Sequence, residues 1–402
     1  MTASPELTMC LRRVRLGGLA VAIVGGAACA YGYVNTPEQF FPAYLTAYLY
    51  WLGMALGCMG IAMLHGLTGG AWGLAIRRVI EAGYQTLPLL ALLFAPLWLN
   101  VRRIYEWADP EVMRHNELLA RKSGYLNVDG FQTRAIVYLA VWIAITWLLN
   151  LSSPNDEPPG DTPRGRRLQG TSAMGFIAYG LTITLAAVDW VMSLEPEWYS
   201  TMYGVLYMGG QAVSGMSFAS VTVVALGRFE PWSRTVTAQR RHDLGNLLLA
   251  FVMFWAYVAF MQYLVIWSGN LPEENVWYLR RSQGGWEYLV VGLMGLHFAV
   301  PFLLLLSRNL KRQTPGIFGV AALLLVMRYA DLYWLVVPGF QRGETGTVGL
   351  TLHWLDLAAL VAIGGAWLAM FAWRLQARVQ LPIFDPELLE TVDGRTRRTA
   401  VA

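Results

Sequence analysis

The sequence predicts an all-α polytopic membrane protein with ten transmembrane helices. Three observations lead there. The chain is 56% hydrophobic and 14% charged, whereas soluble domains carry about 25% charged residues. Apolar runs long enough to cross a bilayer recur along its whole length. The ten-residue alternation of a membrane β-barrel is missing.

In order, the spans cover 16–34, 40–64, 80–99, 136–151, 172–194, 204–226, 244–267, 286–306, 317–337 and 352–373. The first follows a basic start, "LRRVRLGGLAVAIVGGAACAYG", which also suits a signal peptide. The run is long enough to span, so the expectation is an uncleaved helix. Span two ends at His65 beside the Gly pair of "TGGAW", and span three holds Gln85, Pro88 and Pro96. The segment 101–135 contains "ADPEVMRHNELLARKSGYLN", with Asp109 as N-cap, Pro110 in the first turn and Gly124 as a stop. It predicts one amphipathic surface helix over 110–123, its charges solvated. A Pro/Gly-rich linker at 152–167 follows span four. Span five closes on Asp189, span six carries Gln211 and span seven Gln262. Span eight starts at Glu287 and holds His297 and Pro301; span nine holds Arg328 and Asp331; span ten starts at His353 and Asp356. One integral membrane domain covers 1–402, with a flexible tail at 387–402.

The formal charge of +4 reports orientation rather than an acidic partner, and nothing points to nucleic acid. Basic residues crowd the N-terminus (Arg12, Arg13, Arg15), the tail, and alternate connections: Arg77 and Arg78; Arg164, Arg166 and Arg167; Arg228, Arg234, Arg240 and Arg241; Arg308, Lys311 and Arg312. The opposite short connections hold Arg280, Arg281 and Arg342. The positive-inside rule therefore places both termini in the cytoplasm. Cys10, Cys29 and Cys58 are isolated, so no Cys-x-x-Cys or haem-attachment motif is present.

Depth orders the polar residues, at about 1.5 Å per helical residue. Asp189, Gln211, Gln262, Glu287, His353 and Asp356 fall in the outer half of spans five to ten. Arg328 and His297 fall near the midplane, with Asp331 one turn outward, and His65 lies towards the inside. Arg328 and Asp331 are three apart and can pair on one face, which lowers the cost of a charge in the bilayer. The pair reads as part of a proton path or the polar end of a quinol pocket, or else as a structural ion pair. His353 and Asp356 repeat the spacing. Asp189 and Glu287 lack a sequence-local partner and read as functional. His297 reads as a proton relay or a hydrogen-bonded interior group; a bis-His haem site needs a second His at its depth. His65 reads as a relay or a helix-end cap, and His115 and His242 as solvated. The Trp and Tyr residues read mainly as interfacial belts, with Trp198, Tyr199, Trp267, Trp277 and Trp286 at the outer boundary.

Several stretches together resemble an integral membrane subunit of alternative complex III, a bacterial quinol:cytochrome c oxidoreductase. They are "HGLTGGAWG" (65–73), "YLNVDGFQTRAIVYLAVW" (125–142), "DWVMSLEPEWYSTMYG" (189–204), "MQYLVIWSGNLPEENVWYLRR" (261–281) and "RYADLYWLVVP" (328–338). The resemblance is to the NrfD/polysulfide-reductase membrane-anchor type, and to the second, shorter of its two related ten-span subunits. It implies two four-helix bundles, spans two to five (35–194) and six to nine (203–338), with spans one and ten peripheral. It implies a bacterial inner-membrane location and three partners: a multihaem c-type cytochrome, an iron–sulfur subunit and the related ten-span subunit. Haems and iron–sulfur clusters would sit in those partners, and quinone or menaquinone would be the lipid-borne substrate. The quinol-oxidising sister subunit carries a His after the Trp in the segment following span five; here the pair is Trp198–Tyr199. Tyrosine, with an unperturbed pKa of about 10, is a poor proton acceptor at neutral pH. The expectation is a membrane subunit that supports quinol oxidation and conducts protons. A secondary transporter and a purely structural anchor are the alternatives, although Pro88, Pro96 and Pro301 give no matched pair of broken helices.

Overall fold

The computed structural model describes residues 4–70, 72–153, 163–230, 232–341 and 349–377. Most of the expected linker, Arg342 and the expected tail at 387–402 lie outside them. All regular structure in the described residues is helical. Ten segments are long and apolar enough to cross a membrane: α1 (Pro5–Asn35), α2 (Pro37–Thr68), α3 (Ala75–Leu99), α4 (Val128–Ser152), α5 (Gly165–Leu194), α6 (Tyr203–Leu226), α7 (Ala238–Gly269), α8 (Trp286–Leu306), α9 (Thr314–Phe340) and α10 (Trp354–Ala377). Hydropathy located each one but clipped the ends. α4 starts at Val128 rather than at 136, because Asn127 caps it by accepting the Gly130 N–H (2.7 Å) and the helix continues through polar residues to the bilayer edge.

Within 35–194, α2 packs on α3 and α5, and α4 packs on α5. Within 203–338, α6 packs on α7 and α9, while α8 bridges α7 and α9. The two groups meet where α2 crosses α6. That crossing is backbone on backbone: a Cβ built on Gly57 would lie 2.0 Å from the Gln211 carbonyl oxygen, and one on Gly215 would lie 2.5 Å from Gly57 C. Without hydrophobic drive between helices in lipid, such close small-residue packing holds them together. α1 and α10 pair along a second glycine seam. Gly18 lies against Gly365 and Ala369, Gly25 against Ala362 and Gly32 against Leu355, so the two helices are antiparallel, and the start of α1 and the end of α10 lie on one face, the terminal face. α10 also packs on α2, with Trp367 buried between Trp51 and Phe218.

Prolines shape two spans. α3 is not one rod but three pieces, Trp72–Tyr84, Leu87–Leu93 and Ala95–Leu99, because Pro88 and Pro96 each remove an N–H and clash with the preceding turn. In α8, Pro301 cannot bond the His297 carbonyl; the chain widens into a π-helical turn over Leu293–Ala299, with the Val300 N–H reaching Gly295 O. The surface helix expected over 110–123 is also divided, into Pro110–His115 and Glu117–Lys122. Asp109 caps the first piece as expected. Asn116 interrupts it, because its side chain accepts the Leu118 and Leu119 N–H groups and starts a second helix. Lys122 then ties the pair down by donating to Pro196 O (2.6 Å).

Candidate functional site

Helix α6 is enclosed on nearly every side, yet it carries Tyr203, Tyr207, Gln211, Ser214 and Ser217, all buried. Steps of four, four, three and three residues keep these groups on one face. Facing them, α9 brings Arg328 and Asp331 together as their spacing predicts: Arg328 Nη1 donates to Asp331 Oδ2, and both side chains are almost fully buried. The guanidinium fits because Gly210 has no side chain; a Cβ there would lie 2.1 Å from Arg328 Cζ. Its centre is 6.0 Å from the Tyr207 ring. Gln211 accepts from the Tyr179 hydroxyl of α5 (2.5 Å). The π-helical turn of α8 aims His297 into the same region, stacked on Trp255 of α7 with centroids 4.1 Å apart.

Here the hydrogen-bond accounting fails to close. Tyr48 Oη, Tyr207 Oη, Gln211 Nε2, Arg328 Nε, Ser217 Oγ and both His297 ring nitrogens are buried without a protein partner. Buried polar groups in folded proteins are nearly always satisfied, by protein or by ordered water. Leaving one bare costs about 1–3 kcal/mol. Several of these atoms lie on the polar face of α6 and on the Arg328 and His297 side chains beside it.

At the face opposite the termini, the stripe ends under an aromatic and ionic cap. Glu195, just beyond α5, accepts from Arg280 Nη1 (2.7 Å) and Arg281 Nη2 (2.5 Å). Arg281 also donates to the carbonyls of Trp277, Trp334 and Leu335, closing the C-terminal ends of Pro272–Arg280 and of the last full turn of α9. Its guanidinium lies 3.8 Å from the Trp277 ring centre, and Trp277 stacks on Trp198 at 4.8 Å. Trp198 and Trp277 are therefore buried, and so is Trp286, which packs on Tyr333 and donates to Gln341 Oε1, a correction to their reading as an interfacial belt. The Arg281 cation and the stacked rings turn the first two inward. Tyr199 and Trp267 do face outward, at 61% and 63% exposure. Gln262 sits beside the cap, with Nε2 near Tyr278 Oη and Oε1 near Ser200 Oγ, both at 3.4 Å. Burial pushes the Tyr278 hydroxyl up to about 12, so it stays protonated at working pH.

The groups that depth places together in the outer half of spans five to ten divide into separate sites, and several candidates are closed off. Asp189 has partners: Arg134 donates Nε and Nη2 to its two oxygens, both at 2.9 Å, and Tyr138 donates at 2.8 Å. Arg134 in turn covers the Tyr125 ring at 3.9 Å; burial first, then the Asp189 carboxylate, pushes that tyrosine up to about 12. Glu287 accepts the Gly285 N–H at 2.8 Å and starts α8. His353 and Asp356 do not form a side-chain pair. Asp356 accepts the His353 backbone N–H (2.8 Å) and His353 Nδ1 accepts the Leu355 N–H (3.3 Å), a reciprocal cap on α10. His65 lies 3.0 Å from Gly70 O and edge-on to Trp72, closing the end of α2. Depth reasoning missed Glu81 entirely. It is buried and accepts from Arg77 (3.0 Å), Arg78 (2.8 Å) and Ser153 (2.6 Å). Arg77 and Arg78 had been placed in a connection; the helix begins before them. Arg134 was missed for the same reason, whereas Glu195 and Arg281 do lie in connections and are buried there by partners distant in sequence.

Asp189 is thus anchored between α4 and α5 by Arg134 and Tyr138. Changing Arg134 to Ala leaves its carboxylate buried and short of a cation, costing about 3–5 kcal/mol. Asp189→Asn costs less, because an amide still accepts from Tyr138. Thermal stability in detergent checks the order, with Arg134→Ala melting lower.

Compared with known proteins, the chain matches no family model and no curated sequence.

Proposed function

We propose that this chain is a proton-conducting membrane subunit of a quinol:cytochrome c oxidoreductase in a bacterial inner membrane, both termini cytoplasmic. The observation that carries the reading is the buried polar line on α6 and α9, where Arg328, Asp331, Gln211 and His297 converge around unsatisfied donors and acceptors. Of the candidate residues, these four belong to the line. A charged pair kept inside lipid costs several kcal/mol unless something uses or solvates it. Hydroxyls and a carboxyl group bridged by water can hand protons along, each oxygen taking up one proton as it releases another, while the amide of Gln211 orients its neighbours. The five sequence blocks named above support the oxidoreductase context, with haem and iron–sulfur chemistry in partner subunits and quinol as the complex's substrate. Tyr199, exposed with Lys122 5.8 Å from its ring centre, offers no buried base to a quinol, so quinol oxidation is assigned to the sister subunit.

The test uses the full-length chain with the subunits that accompany it from the membrane. Multihaem cytochrome and iron–sulfur subunits should co-purify. In vesicles with an imposed potassium diffusion potential, Asp331→Asn should lower proton flux by about tenfold or more. Wild-type flux in that variant removes proton conduction. A stable, haem-free chain that accumulates a solute establishes a transporter instead.

A further inference from the structure

The polar stripe on α6 has to meet water somewhere, and the face opposite the termini offers one group suited to that task. Glu195 stands where α5 turns towards α6, its side chain 10% exposed. One arginine beside it is fixed and one is not. Arg281 is 1% exposed and held by three carbonyls and the Trp277 ring. Arg280 is 36% exposed and reaches the carboxylate from the solvent side. Inward from Glu195 comes Tyr203, the first residue of the stripe, packed edge-on against Trp198 and Trp277. Tyr203 lies between this cap and Tyr207, one turn further along α6.

We infer that Glu195 is the proton-exchanging group at this end of the line, and that Arg280 is the latch that sets its access to water. This rests on the proton-conducting reading above. With both arginines in place each carboxylate oxygen is held by a guanidinium. When Arg280 swings into solvent, one of the two cations leaves and one carboxylate oxygen is freed. A carboxylate oxygen then takes a proton from the hydroxyl or water next along the line, one O–H bond forming as one breaks. Return of Arg280 drives that proton into bulk water. Arg281 remains throughout, so the carboxylate never stands alone in the cap. The charged or titratable groups facing Glu195 are Arg280, Arg281 and Tyr203.

The experiment measures potential-driven proton flux, from pH 5 to 9, through vesicles containing the intact assembly. Glu195→Gln keeps the size of the side chain and its acceptor oxygen, and should cut flux at least fivefold; Glu195→Asp should restore part of it. Arg280→Gln, at an exposed position, should move the pH at which flux is half-maximal upward. Flux like wild type in Glu195→Gln, or an unmoved pH profile in Arg280→Gln, overturns the inference. If Glu195→Gln does not assemble, the Arg280→Gln profile decides alone. Asp331→Asn separates the two levels. Loss of flux there with none in Glu195→Gln removes only the exit group, whereas wild-type flux in Asp331→Asn removes the line itself.

Discussion

Arg281→Leu should be the most destabilising single change at the face opposite the termini. The side chain is 1% exposed and joins three segments that are distant in sequence. Its loss leaves the Glu195 carboxylate with Arg280 alone and strips three carbonyl oxygens, of Trp277, Trp334 and Leu335, of their donor. Breaking one side of a buried pair costs about 3–5 kcal/mol. Leucine fills part of the volume but also loses the contact with the Trp277 face, worth about 1–2 kcal/mol when desolvated. The expected result is an apparent melting temperature in detergent lower by roughly 10 °C. Adding Glu195→Gln should recover part of that loss, because the stranded charge is gone; the two changes are coupled and cannot add. A melting temperature within a degree or two of wild type would show that Arg281 is a surface ornament rather than a keystone.

Gly57→Leu should do still more damage, at the crossing of α2 and α6. A single added carbon there would meet the Gln211 carbonyl oxygen at 2.0 Å, with Gly215 N at 3.0 Å. Those are backbone atoms and cannot rotate aside. Inserting extra methylenes into a packed core typically costs about 1–3 kcal/mol when side chains can adjust, and here the helices themselves must part. Separating them also breaks the register of Gln211 with Tyr179 and of Gly210 with Arg328. The expected result is loss of the monodisperse peak on size exclusion. Gly57→Ala carries the same clashing carbon and should already lower both the melting temperature and the proton flux, though less than Leu, because the α6 backbone at Gln211 must shift. Unchanged stability and flux in both variants would mean that the crossing is looser than its geometry implies.

The ten spans and the Arg328–Asp331 pair were legible in the sequence for one reason each. Lipid demands long apolar runs, and a spacing of three on a helix fixes a shared face. What stayed hidden was tertiary. Arg134 was counted in a connection, so its meeting with Asp189, 55 residues away, had no local trace; knowing that α4 starts at Val128 would have set both at one height. Trp198 and Trp277 lie at the depth of an aromatic belt, but depth does not say which way a ring points, and the Arg281 cation turns them inward. Pro301 was visible in the sequence. That it would relax into a π turn and swing His297 against Trp255 depended on the freed carbonyl. Polar periodicity along α6 was the one signal present and unread: Tyr203, Tyr207, Gln211, Ser214 and Ser217 form it on inspection.

The glycine seam between α1 and α10 has a consequence for biosynthesis. α1 finds its main protein neighbour in α10, which leaves the ribosome only after the eight spans between them, so until then α1 waits in the bilayer with most of its surface against lipid tails. Insertion of α10, rather than of any earlier span, then becomes the moment at which this seam locks shut.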